Sequence, residues 1–127
     1  MNTNKKNGFT LIELVIIMVI LGVLAAVAVP RLGSTIDSSE ASAEEAVIGS
    51  LRSALEVYAM DQVVNNSSKS YPSDPFDALD SKSENELKAT SWSVSLITNG
   101  ANINHSRNDG SIQSWVYAKS TGSIEQL

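Results

Sequence analysis

Residues 9–29 read FTLIELVIIMVILGVLAAVAV, a run in which only Thr10, Glu13 and Gly22 are not apolar. As a helix rising 1.5 Å per residue it spans about 31 Å, enough to cross the hydrocarbon core of a bilayer. The chain has 127 residues, so 98 follow this run, too few to wrap a helix that is apolar all round. A buried core helix is therefore a poor solution, and a membrane-spanning segment is the better one. The leader before the run carries Lys5 and Lys6 and no acid. Lysines beside a first span hold that end in the cytoplasm, which sends the rest of the chain to the far side of the membrane.

Composition removes several function classes. The chain has no cysteine and one histidine, so disulfides, thiolate metal sites, cysteine nucleophiles and multi-histidine metal centres are excluded. Its net charge of −5 argues against electrostatic binding to nucleic acid. No nucleotide-binding motif, cofactor motif or catalytic constellation stands out, so the chain reads as a non-enzyme without a cofactor.

Glu13 is the informative residue of the run. A carboxylate inside an apolar span is costly unless a partner compensates it, and no basic side chain of the same helix can reach it. A partner from another chain is the economical solution. If the chain were cut after Gly8, Phe9 would carry a free amine, and the Glu13 of one subunit could pair with the Phe9 amine of the next. An ordinary secretory signal peptide is the alternative. It would use Lys5 and Lys6 as its basic region and Ala26-Val27-Ala28 as its cleavage site, and would make the remainder a secreted or periplasmic binding domain. The length of the run and the charge at Glu13 count against it.

The stretch Lys5-Lys6-Asn7-Gly8-Phe9-Thr10-Leu11-Ile12-Glu13-Leu14, followed by the apolar run, resembles the signature of type IV pilins and type II secretion pseudopilins. The resemblance implies that prepilin peptidase cuts between Gly8 and Phe9 and that Phe9 is then N-methylated. It implies that Glu13 sets register during assembly, and that the stem loosens between Gly22 and Pro30 when a filament stretches. Implied partners are further copies of the chain, the peptidase, an inner-membrane platform protein, an assembly ATPase and the membrane itself. The implied location is the inner membrane, single-pass with the amino terminus in the cytoplasm, and later a periplasmic or cell-surface filament. Many adhesive members of the family staple their carboxy-terminal loop with a disulfide, which this chain cannot do.

The expected organisation is a leader over 1–8, a membrane or filament-core half-stem over 9–29, an amphipathic half-stem over 30–63, and a head over 64–127. Helical spacing resumes after Pro30. Ile36, Ala43, Val47, Ile48, Leu51, Ala54, Leu55 and Tyr58 recur every three or four residues, with Asp37, Glu40, Glu44, Glu45, Arg52, Glu56 and Asp61 elsewhere. Glu56, four residues after Arg52, predicts a surface ion pair. A polar loop over 65–69 continues through Pro72 and Pro75, and short helical turns are predicted around Leu79 and Leu87.

Alternation of Trp92, Val94 and Leu96 with serines predicts a strand. A second strand is predicted over 112–119 with Trp115 and Tyr117 on one face, and a third over 123–127. The expected fold is α+β and pilin-like: one long helix against a three-stranded antiparallel meander. Asn99-Gly100 and Asn108-Asp109-Gly110 read as turns, and His105 between them as an exposed loop residue. Asn99, Asn102, Asn104, Asn108 and Asp109, with Asp74, Asp77 and Asp80, offer oxygens for calcium but form no regular ligand loop. Such residues also populate ordinary turns, so no metal site is expected.

Overall fold

The computed structural model describes residues 8–127. The leader, with Lys5 and Lys6, lies outside the described residues. The architecture is α+β: a long amino-terminal helix and a small four-stranded antiparallel sheet, the arrangement of a pilin-like chain. Helix α1 covers Leu11–Asn66 and contains Pro30. A 3₁₀ turn at Pro75–Ala78 and helix α2 at Ser81–Ala89 follow. Four strands close the chain: β1 Trp92–Ile97, β2 Gly100–Ser106, β3 Ile112–Ala118 and β4 Ser123–Gln126. They form a simple meander in the order β1-β2-β3-β4.

The chain divides into two compact units, Met1–Ser39 and Glu40–Leu127. In the first, every described residue is exposed, including the whole apolar run. This helix is long and apolar enough to cross a membrane.

The second unit holds the core. From α1 come Ile48, Leu51, Leu55 and Ala59, a stripe of three- and four-residue spacings. From the sheet come Trp92, Ala101, Ile103, Trp115, Tyr117 and Ile124, which the register places on one face. Tyr71 and Phe76 close the side. The fully buried Tyr117 donates its hydroxyl to the Pro72 carbonyl at 2.8 Å, and burial pushes its phenol up to about 12. Gly100 is needed where β2 meets β3, because a Cβ there would stand 1.8 Å from the Tyr117 carbonyl oxygen. Gly122 turns the chain into β4 at φ +72° against the Tyr71 ring.

The sheet differs from the expected three-stranded meander. The extra strand is β2, in the segment whose asparagines suggested a loop. Ala101, Ile103 and His105 face inward while Asn102, Asn104 and Ser106 face out, so the asparagines line the outer face of a strand. The helical turns predicted around Leu79 and Leu87 correspond to the 3₁₀ turn, which Leu79 caps, and to α2, which contains Leu87. Trp115 and Tyr117 are buried on one face of β3, while Leu96 of β1, expected to alternate inward with Trp92 and Val94, is exposed. Helix α1 runs to Asn66, past the expected end near Val63.

Candidate assembly site at the amino terminus

Gly8, Phe9 and Thr10 precede the helix and are exposed; Phe9 leaves 87% of its surface open. The Gly8–Phe9 peptide bond thus lies in non-helical chain, and a Cβ on Gly8 would meet nothing within 4 Å. Helix α1 then starts with a capping box. The Thr10 amide and hydroxyl both donate to Glu13 Oε2, at 2.7 and 3.0 Å, and the Glu13 amide donates to Thr10 Oγ1 at 3.3 Å. These bonds satisfy donors that a helix start leaves without intrahelical partners, and a carboxylate is favoured at that end of the helix dipole.

Glu13 therefore has a local hydrogen-bond partner that its lack of a nearby lysine did not suggest; the Thr-x-x-Glu spacing was the available signal. The box supplies hydrogen bonds from neutral groups and no positive charge. The structure puts Gly8, Phe9 and Glu13 within one helix turn and its approach, while Gly22 and Pro30 lie further along α1, which is helical through both. Pro30 has no amide hydrogen and so cannot bond the carbonyl four residues earlier.

The head contains a second polar cluster. Glu44, on α1, is 3% exposed. Its carboxylate accepts Arg107 Nε at 2.7 Å, Arg107 Nη2 at 2.5 Å and His105 Nδ1 at 2.7 Å. A carboxylate only accepts, so the imidazole donates through Nδ1. The fork from Arg107, backed by His105, holds the Glu44 carboxyl below the usual range despite burial, and the same pairing raises Arg107. The His105 ring stacks on Trp92 with centroids 4.6 Å apart, and Trp92 on Trp115 at 5.5 Å.

His105 is thus a half-buried strand residue with an acid from α1, not an exposed loop residue. Its acid is 61 residues away in sequence, so local reading could not pair them. Glu44 continues the Ile48–Leu51–Leu55 stripe one turn earlier, and that spacing was the signal for a buried carboxylate. Beside it, Glu40 accepts the Asn108 amide and side chain.

The predicted Arg52–Glu56 pair is absent. Arg52 donates to the Ile124 carbonyl at 2.8 Å, and Glu56 takes Tyr71 at 2.9 Å and Lys69 at 3.1 Å. Both choices tie α1 to the rest of the head. Three of the four acids that offered oxygens for calcium serve local caps and turns instead. Asp74 caps the 3₁₀ turn through the Phe76 amide, Asp80 caps α2 through Ser83, and Asp109 takes the Ser111 amide. Among the described residues no group of three or more His, Asp or Glu converges as a metal site.

Comparison with known proteins bears on the amino-terminal site. Residues 3–29 match the family model of the prokaryotic N-terminal methylation motif, which contains Gly8, Phe9 and Glu13. The chain is similar to type II secretion system core protein G of Pseudomonas aeruginosa, 38% identical over 61 residues, covering 48% of this chain and 43% of the relative. The Escherichia coli core protein G is 37% identical over 59 residues, covering 46% and 41%. The type IV major fimbrial protein FimA of Dichelobacter nodosus is 41% identical over 56 residues, covering 44% and 36%. The chain thus spans less than half the length of these curated relatives. No solved structure matches it significantly.

Proposed function

We propose that this chain is a structural subunit of a type IV pilus or type II secretion pseudopilus, processed by prepilin peptidase and polymerised into a helical filament. The observation that carries the reading is a methylation motif that takes in the leader and an apolar helical stretch left exposed by the described chain. In the precursor, residues 9–29 span the inner membrane with Lys5 and Lys6 on the cytoplasmic side. The peptidase cuts at Gly8–Phe9, where exposed non-helical chain and a missing side chain favour access to the backbone, and Phe9 is N-methylated.

On assembly the stem leaves lipid and packs among the stems of other copies, so its apolar surface passes between two dry environments. The Phe9 amine of one subunit supplies Glu13 of the next with the positive charge that the Thr10 capping box lacks. Gly22 and Pro30 are the places where the stem gives when the filament is pulled. The energy comes from outside the chain, from an assembly ATPase acting through an inner-membrane platform protein. The Glu44 cluster has a structural role, pinning α1 to the sheet.

The test is Glu13→Ala. The variant is expected to insert and to be cleaved like the native chain, yet to yield few filaments beside it. Normal filament yield would contradict the pairing; cleavage after Ala28 would favour a secreted domain with an ordinary signal peptide.

A further inference from the structure

Arg31 lies just past the apolar run, separated from it by Pro30, and is the only Lys or Arg between Gly8 and Arg52 in the sequence. It is exposed, and the ion pairs among the described residues all involve other groups. Ser34 and Thr35, which would otherwise accompany it as polar side chains, turn back and donate to its carbonyl, each at 3.0 Å. Among the described residues the guanidinium has no hydrogen-bond or ion-pair partner, which leaves its five donors open to a ligand.

The placement is specific. At 1.5 Å per residue Arg31 lies about 33 Å beyond Phe9 and about 27 Å beyond Glu13 along the helix. A hydrocarbon core is about 30 Å thick. An arginine at the far phosphates therefore leaves Thr10 and Glu13 at the cytoplasmic edge of the core, where the capping box is close to water. Beyond Arg31, Leu32 and Ile36 continue an apolar character, and the next charge is Asp37. Without Arg31 nothing before Asp37 would stop the helix from sinking further.

We propose that Arg31 docks on the phosphate of outer-leaflet phospholipids and so fixes the depth at which the unassembled subunit waits in the membrane. Phosphate suits the planar guanidinium, which takes it through two parallel N–H bonds. The neighbouring acids Asp37 and Glu40 are kept outside by the same arrangement. The proposal rests on the membrane-spanning reading given above.

The native chain has no cysteine, so single nitroxide labels at Ile36→Cys and Val19→Cys report depth cleanly. The full-length precursor is placed in vesicles of phosphatidylglycerol and phosphatidylcholine. With native Arg31 the position-36 label is expected to meet a water-soluble relaxant freely. Arg31→Leu should draw that label inward by up to a turn, about 5 Å, with a several-fold fall in relaxant collisions, and Arg31→Lys should hold the native depth.

In the same bilayers, arginine side-chain carbon signals should be dephased by lipid phosphorus in the native chain and not in Arg31→Lys, since Arg52 and Arg107 are engaged in the head by Ile124 and Glu44. A position-36 label that does not move in Arg31→Leu, with position 19 in hydrocarbon, overturns the proposal alone. A water-exposed position 19 overturns the spanning reading and the proposal with it. Undephased arginine, with filament yield as the only property Arg31→Leu changes, overturns it in favour of an acid on a second copy.

Discussion

Along the stem, Leu11, Ile16 and Leu24 leave 82%, 50% and 61% of their surface open, whereas in the head Leu55, Ile103 and Phe76 leave none. Both regions draw on the same residue types, and α1 runs through both. The difference is that after Glu40 the chain supplies a sheet, and before it nothing. The head therefore carries its own core, whereas the stem's apolar surface needs an environment that something else provides, which on the proposed function is lipid first and sister stems later.

The sharpest break of that comparison is to separate the regions. A fragment of residues 40–127 should be soluble and monomeric without detergent and should unfold cooperatively, while the full chain should need detergent. Sedimentation and thermal melting check this. A fragment that aggregates or melts without a transition would show that the head borrows stability from the stem.

Within the head, Gly100→Ala should have the largest effect, about 4 kcal/mol in urea titration, because the new methyl group has no room before the Tyr117 carbonyl. Glu44→Ala should cost about 3 kcal/mol, since it leaves Arg107 and His105 without their shared acceptor. The pH dependence has a definite sign. Folding lowers the Glu44 carboxyl below its ordinary 4.5, so its contribution is complete above that value and is lost as pH falls below it. Glu44→Gln should accordingly flatten the acid limb of the stability profile. The smallest change is expected for Glu56→Gln, because Glu56 and its ion-pair partner Lys69 are exposed and only the hydroxyl of the buried Tyr71 reaches out to it; a melting shift as large as that of Glu44→Ala would contradict this order.

How legible each region was in the sequence follows the same division. The stem's properties are carried by composition over one uninterrupted stretch, so the apolar run and the motif around Glu13 could be read directly. What went unread there was local: the Thr10–Glu13 box, three residues across. In the head, the pattern of β3 was plain because Trp115 and Tyr117 are large and alternate with smaller residues. The pattern of β2 was hidden because Asn102 and Asn104, residues that usually signal turns, occupy its outer face. The Glu44 cluster joins positions more than 60 residues apart, a distance at which only the fold pairs residues. Its one local trace was an acid in register with an apolar stripe.

The central claim is that this chain is cut and methylated to become a polymerising subunit, and the most direct measurement is the intact mass and amino-terminal sequence of the mature protein recovered from cells with an active prepilin peptidase. The account predicts a chain that begins at N-methylated Phe9, lacking Met1–Gly8 and carrying one added methyl group. A chain that begins at Val29, or one that keeps its leader in the presence of the peptidase, would contradict it.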